Sequence, residues 1–524
     1  MTLLIKHVRI LGGGESNRSS GASAVPPSGG SGPDVAAATD TRDVFVSNDK
    51  ISAIGNFSDK KADEVLDGQG GWLSPGFIDV DTESDHYLTL FDHPGQEDFL
   101  RQGVTTIFGG LGGSSLAPLL YGTLESVRKW SGSEDNANVN WHSMGEFLAA
   151  IDRRPLAVNF GTLAGHGTMR RAITGEVIRE LTRNELSVLE ALLRRSLGEG
   201  GFGLSTNLGS IHAQKTSAAE MRSLAQIVRE SNGVYAANPR YPAKGVHESV
   251  AEVIKLAKDV GVRTLINHLV PIRGAADDYR RALALIDGLP PALDFHFDVY
   301  PFPSQLLPFY LFLPEWVRAG GFEVMYANLR EDWLREKIKK DMPPIDEGRF
   351  TVAQAPGNEF LIGKSLDDLK AMYGVSDGRN ALLNLMTATK MRGIALYENL
   401  DPALVSLAIT HPRSFIASNA PSFGDSPRIT QLKSERTTRT FIRFLEIAER
   451  EGMLPLETAI RKLTSEPARK FGLTGRGEIK EGNYADLVCF KNAEIKFTIV
   501  NGKVVVKDGE FRNVFPGKTL RHHG

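Results

Sequence analysis

Residues 234–268 read VYAANPRYPAKGVHESVAEVIKLAKDVGVRTLINH, and their pattern decides the fold. A short strand at 234–238 leads into a helix at 247–260, and a second strand follows at 262–268. Strand, helix and strand within about thirty residues is the right-handed crossover unit of a parallel sheet. The pattern extends to both sides. Thr182 with Glu185 makes a capping box ahead of a helix at 186–196, and Ser217 with Glu220 makes another ahead of 221–229. A helix at 276–286 leads to a strand at 293–299.

Candidate strands end near Asp81, Gly110, Leu163, Thr206, Asn238, His268, Asp298 and Asn419. Eight parallel strands with helices between them predict an α/β fold, a closed TIM-like (β/α)8 barrel whose site lies at the C-terminal strand ends. An open doubly wound sheet also binds ligands there, but no Gly-rich phosphate loop follows the first strand. Residues 301–412, between the seventh and eighth strands, are too many for a loop and contain helical runs at 333–340 and 381–392. They are expected to form an inserted subdomain over the barrel mouth. The ends differ in kind: 3–11, 43–47 and 50–54 are short strands, as are 485–490, 495–500 and 503–506, with Asn501-Gly502 as a tight turn. Residues 12–41, rich in Gly, Ser, Ala and Pro, read as a flexible hairpin insertion.

Composition narrows the function classes. The 524 residues can bury a large core, and 61 basic against 63 acidic side chains give a formal net charge of -2. No global field favours nucleic acid or anionic lipid, so neither is an expected partner. Cys489 is the single cysteine, which excludes an intrachain disulfide and a thiolate metal cluster. No run of eighteen apolar residues and no signal-peptide pattern occurs, so a soluble, cytoplasmic protein is expected.

Ser74-Pro75-Gly76-Phe77-Ile78-Asp79 resembles the first barrel strand of the amidohydrolase superfamily. Gly103-Val104-Thr105-Thr106, Gly165-His166-Gly167 with Arg170, Gly203-Leu204-Ser205-Thr206 and Asp298-Val299-Tyr300-Pro301 are similar to its N-acyl-D-amino-acid deacylase (D-aminoacylase) branch. Pro314-Glu315-Trp316-Val317, Thr464-Ser465-Glu466-Pro467-Ala468-Arg469 and Gly482-Asn483-Tyr484-Ala485-Asp486-Leu487-Val488 continue the series in order along the chain. The resemblance implies a barrel at 72–472 and a small β-sandwich built from the two termini, 1–71 and 473–524. It also implies metal-assisted hydrolysis of the amide of an N-acylated D-amino acid, with a divalent metal, usually zinc, polarising the carbonyl and activating water.

Most positions that the resemblance assigns to the metal carry other residues. The His-x-His of the first strand is Asp81-Thr82-Glu83 here. Alternate residues share a strand face, so the two carboxylates could hold a hard metal such as Mg, Ca or Mn; they read equally as a solvated acidic turn with Asp79 and Asp85. The bridging cysteine is replaced by Gly112, which has no donor. The fifth-strand imidazole is Asn238, better suited to binding substrate, and Arg240 beyond it reads as a carboxylate anchor or as a rim ion pair. His268 keeps the second imidazole. Asn419 stands where the family has its aspartate general base, and a carboxamide cannot take and return a proton. Tyr300 caps the site or packs under the subdomain; His166 orients substrate or is a turn histidine. Arg436 binds a substrate carboxylate or caps its helix, and His86 and His93, which could supply imidazoles that the family takes elsewhere, read more readily as surface helix starts.

The leading reading is a hydrolase of non-peptide C–N bonds, with Asp81, Glu83 and His268 around a metal and Asp298, His268 and Asn419 as the catalytic positions. His166, Arg240, Tyr300, Arg436 and Asn238 are its expected contacts to an N-acylated amino acid. The alternatives are an inactive paralogue that binds an acylated amino acid or a partner protein, and a metal-free enzyme of another class, such as an isomerase, working through His268 and His166.

Overall fold

A computed structural model of the chain describes residues 1–12, 41–120, 139–175, 177–210, 213–318, 321–425 and 431–523. The Gly/Ser-rich stretch read as an insertion at 12–41 lies, apart from its two end residues, outside them.

Strands from both ends of the chain share one nine-stranded sheet. Thr2–Ile10 pairs antiparallel with Arg42–Ser47 and parallel with Glu64–Asp67 and Trp72–Pro75. Trp72–Pro75, expected at the start of the barrel, is a strand of this sheet and pairs with Leu487–Lys491. The sheet runs on through Glu494–Val500 and Lys503–Lys507. Alternate residues such as Leu3 and Ile5, with Leu487, Cys489, Phe497 and Ile499, bury a core separate from that of the barrel.

The barrel begins at Phe77–Asp79. It continues through Val104–Gly109, the two successive pieces Asn159–Thr162 and Ala164–Gly165, Gly203–Asn207, Val234–Asn238, Arg263–Ile266, Phe295–Val299 and Ser414–Ile416. Neighbours along this series are parallel. Just past the eighth strand the chain returns to the first: Asn419 N–H donates to Asp81 O at 2.9 Å and Glu83 N–H to Ala420 O at 3.2 Å. The interior is filled by Ile78, Val80, Phe108, Leu163, Leu265, Phe415 and their neighbours, so the barrel is a packed core rather than a pore. At its floor two buried lysines, Lys462 and Lys470, donate to the carbonyls of Ser414 and Thr264, each at 2.6 Å. Burial pushes both ammonium groups down to about 8.

Thr182 and Glu185 form the expected reciprocal cap of Arg183–Gly198. Ser217 makes only half of the second one. Its Oγ accepts the Glu220 N–H at 3.2 Å, while the Glu220 carboxylate turns inward to His166 and Arg170. Two buried side-chain donors outcompete one backbone N–H for it.

Between the seventh and eighth strands, Gln305–Pro308, Phe350–Gln354 and Ile394–Tyr397 form a three-stranded sheet. Helices Asp332–Asp341, Leu366–Tyr373 and Gly378–Ala388 cover it, and the unit has a core of its own. It seats on the barrel mouth through Tyr87, Ala353 and Ile394, with Phe423 packed edge-on to Tyr87 at 6.0 Å.

Candidate active site

Leu265 points into the lumen, and by strand alternation so does Asn267. Its Nδ2 donates to Asp81 Oδ2 at 3.2 Å and to Asp298 Oδ2 at 3.0 Å, tying the first strand end to the seventh. His268 is next, on the other parity. Its φ of 56° lies in the left-handed region, as does that of Asn419 at 46°, a conformation that costs a β-carbon residue about 1–2 kcal/mol. The two meet over the mouth, His268 Nδ1 lying 2.6 Å from Asn419 Oδ1. Asn419 Nδ2 donates to Asp298 Oδ1 at 3.1 Å, and the His268 backbone N–H donates to the same oxygen at 2.9 Å. Strain of this kind, held by several hydrogen bonds, is typical of functional strand ends.

Burial, then the charge of Asp298, raises Asp81 well above the usual carboxylate range. Burial raises Asp298 too, while Asn419, the His268 N–H and Asn267 hydrogen-bond its ionised form. Burial and the Arg436 charge push His268 down to about 4, so its ring is neutral.

Below them Asp79 is completely buried, accepting from Ser418 Oγ at 2.5 Å, Ser418 N at 3.1 Å and Asp81 N at 3.2 Å. Burial nevertheless pushes it up to about 7. A carboxyl raised on folding stabilises the protein while protonated, and that contribution is lost as pH climbs from about 4 through about 7. Stability should therefore fall by up to about 4 kcal/mol across that window from this group. In Asp79→Asn the slope should flatten, since the Ser418 hydroxyl can turn from donor to acceptor. Equal pH slopes in denaturant melts of both proteins would refute this.

Several expected residues are engaged by other partners. Glu83, a candidate metal ligand, accepts from or shares a proton with His86 Nδ1 at 2.6 Å. His86 is not a surface helix start: it is 2% exposed, its Nε2 lies 3.2 Å from Ser114 O, and Asp85 and Glu83 outweigh burial to raise it to about 10. Arg240 makes a two-pronged pair with Glu252 at 3.1 and 2.9 Å, which ties the rim to the helix Val246–Val260. His166 opens the helix His166–Thr174, and its Nε2 lies 2.8 Å from Glu220, with Arg170 on the same oxygen. Asn238 ends the fifth strand, its Oδ1 buried without a hydrogen-bond partner, as are Asp81 Oδ1 and Asn267 Oδ1.

Arg436 is 2% exposed in the first turn of Glu435–Glu449. It donates from Nε to Ser418 O at 3.3 Å and from Nη2 to Asn419 O, and its guanidinium stacks 4.0 Å over the Tyr300 ring. Tyr300 in turn packs edge-on to His268 with ring centres 5.6 Å apart. Asp81, Asp298, His268, Asn419, Tyr300 and Arg436 thus gather at one mouth. Sequence reasoning missed Asn267 and Gln305. Alternation from a buried Leu265 could have found the first; the second lies in the inserted subdomain and carries no local signal.

The amidohydrolase family matches residues 413–505. The N-acyl-D-aspartate deacylase of Alcaligenes xylosoxydans xylosoxydans is 28% identical over 460 residues, 87% of this chain and 83% of that protein. A solved D-aminoacylase with a binuclear metal centre has a TM-score of 0.74 at 26% identity, over 92% of this chain and 96% of its own. The N-acyl-D-glutamate deacylase of Bordetella bronchiseptica, solved with zinc and a phosphonate mimic of the tetrahedral intermediate, superposes over 99% of both chains with a TM-score of 0.78 at 24% identity. Fold and sequence together relate the chain to the amidohydrolases, and among them to the D-aminoacylase branch and the N-acyl-D-amino-acid deacylases.

Solved relatives carry divalent metals. The donor set here does not fit one. Both His268 ring nitrogens are engaged, Nδ1 by Asn419 and Nε2 by Gln305. An amide bridges Asp81 and Asp298, and Glu83 is matched to His86. Among the described residues no three His, Cys, Asp or Glu side chains are grouped to hold a metal ion.

Proposed function

We propose that the barrel mouth binds an N-acylated amino acid, or a closely related small amide, and hydrolyses its C–N bond with carboxyl groups in place of a metal. The observation that carries this is Arg436. A buried guanidinium is costly without a counter-charge, and among the described residues no carboxylate lies within ion-pair distance of it. It stacks on Tyr300 beside Asn419, and a substrate carboxylate seated there would complete it.

With the carboxylate at Arg436, the amide lies towards Asp298 and Asp81. Asp298, whose ionised form accepts from Asn419, Asn267 and the His268 N–H, takes a proton from water as the water oxygen bonds to the carbonyl carbon. Asp81, held protonated, gives its proton to the departing nitrogen as the C–N bond breaks, leaving a carboxylic acid and a free amine. Asn238 Oδ1 and Asn267 Oδ1 are free to accept the substrate N–H. No step passes through a metal, and zinc is not part of the reading. The single thiol, Cys489, is buried, and burial pushes it up to about 12.

The test uses unmodified protein and two ligands, an N-acetyl-D-amino acid and its α-carboxamide. Losing a charged hydrogen-bonding partner costs about 1.5–3 kcal/mol, so the acid should bind at least about ten-fold tighter in calorimetry and be the one hydrolysed. Equal affinities for acid and carboxamide would remove the role given to Arg436.

A further inference from the structure

The inserted subdomain reaches into the mouth through one side chain. Gln305, first residue of Gln305–Pro308, is 5% exposed, and its Nε2 lies 2.8 Å from His268 Nε2. An amide nitrogen only donates, so His268 Nε2 must accept there and carries no proton. Asn399, just past Ile394–Tyr397, continues the chain on the far side of Gln305: its Nδ2 donates to Gln305 Oε1 at 2.7 Å. Across the ring, Nδ1 lies 2.6 Å from Asn419 Oδ1, which only accepts, so Nδ1 bears the proton. Asn419 is oriented in its turn by donating to Asp298 at 3.1 Å. Reversing the chain would set the Asn419 carbonyl oxygen against a carboxylate oxygen. Donors therefore point one way, from Asn399 through Gln305, His268 and Asn419 to Asp298.

We propose that Gln305 is a positioning residue: the inserted subdomain holds His268 in its Nδ1–H tautomer, and through Asn419 this aims Asp298. It deepens the reading of the site given above and rests on it for its link to catalysis, but the tautomer is observable without any substrate. The seat of the subdomain and the aim of the proton acceptor are then one mechanical unit. A subdomain that lifts would free His268 Nε2 and let the ring exchange its proton between nitrogens.

Histidine-selective 15N NMR of the full chain reads this directly, with His268 assigned by its loss in His268→Gln. The ring should show a protonated Nδ1 and a bare Nε2. In Gln305→Glu the carboxylate can only accept, so Nε2 should move to the range of a protonated nitrogen. Should that variant fail to fold, Asn399→Ala, which leaves Gln305 free to turn, should broaden or shift the same pair. A wild-type Nε2 that already bears the proton overturns the proposal, as does a folded Gln305→Glu whose Nε2 stays bare. Failure of the hydrolysis assay with these shifts as stated would sink the proposed reaction and leave the positioning role intact.

Discussion

Purified without chelators and dialysed, the protein should hold less than one zinc per chain, and the triple variant Gly112→Cys, Asn238→His, Asn419→Asp should hold one. Each position is structurally ready. A β-carbon at Gly112 would meet nothing within 4 Å, although its φ of 62° makes cysteine there cost about 1–2 kcal/mol. Asn238 has an unpartnered side-chain oxygen at its strand end, so an imidazole there displaces no hydrogen bond of that atom. Asn419→Asp alone should be the harmful member: it removes the amide donor that Asp298 now receives and places a second carboxylate beside it. A cation relieves that repulsion, and structural zinc contributes about 10–16 kcal/mol in favourable cases, well above the backbone strain at 112. Elemental analysis after dialysis decides it. Stoichiometric zinc in the unmodified chain would mean that the amide bridges open to admit a metal.

Asp298→Asn should lower hydrolysis of the N-acetyl-D-amino acid by about 10² to 10⁴-fold, the usual contribution of a general base. Shape is conserved, and a carboxamide oxygen can still accept the His268 N–H. Its amide nitrogen, however, then faces the Asn267 donor on the other side, so a modest loss of thermal stability should accompany the rate loss. Steady-state rates beside melting curves separate the two. A rate within a few-fold of wild type in a folded variant would rule Asp298 out as the proton acceptor.

The barrel was legible because its signals are local. Residues 234–268 spell out a strand, a helix and a strand, and the eight expected strand ends lie within three residues of the observed ones, since periodicity and caps are written within one turn or strand. The inserted subdomain was legible from length alone. The side-chain network was not, because its partners are far apart in sequence. Gln305 meets His268 through a strand of another unit, and Asp81 meets Asp298 only through Asn267. Glu220 was assigned to a cap three residues away, whereas its carboxylate is claimed by His166, 54 positions earlier. His86 looked like a surface residue because Ser114, whose carbonyl lies against its ring, is 28 positions away in sequence.

The shared terminal sheet has a consequence for the order in which the protein can be completed during synthesis. Thr2–Ile10, Arg42–Ser47 and Trp72–Pro75 are made first and can pair at once, but the other edge of Trp72–Pro75 belongs to Leu487–Lys491. About four hundred residues must leave the ribosome before that edge is covered. Throughout that time a growing chain carries an open strand edge of the kind that recruits other strands. Slow translation near the 3′ end of the message, or release of chains short of Leu487, should therefore yield aggregates rather than a soluble barrel lacking its last strands.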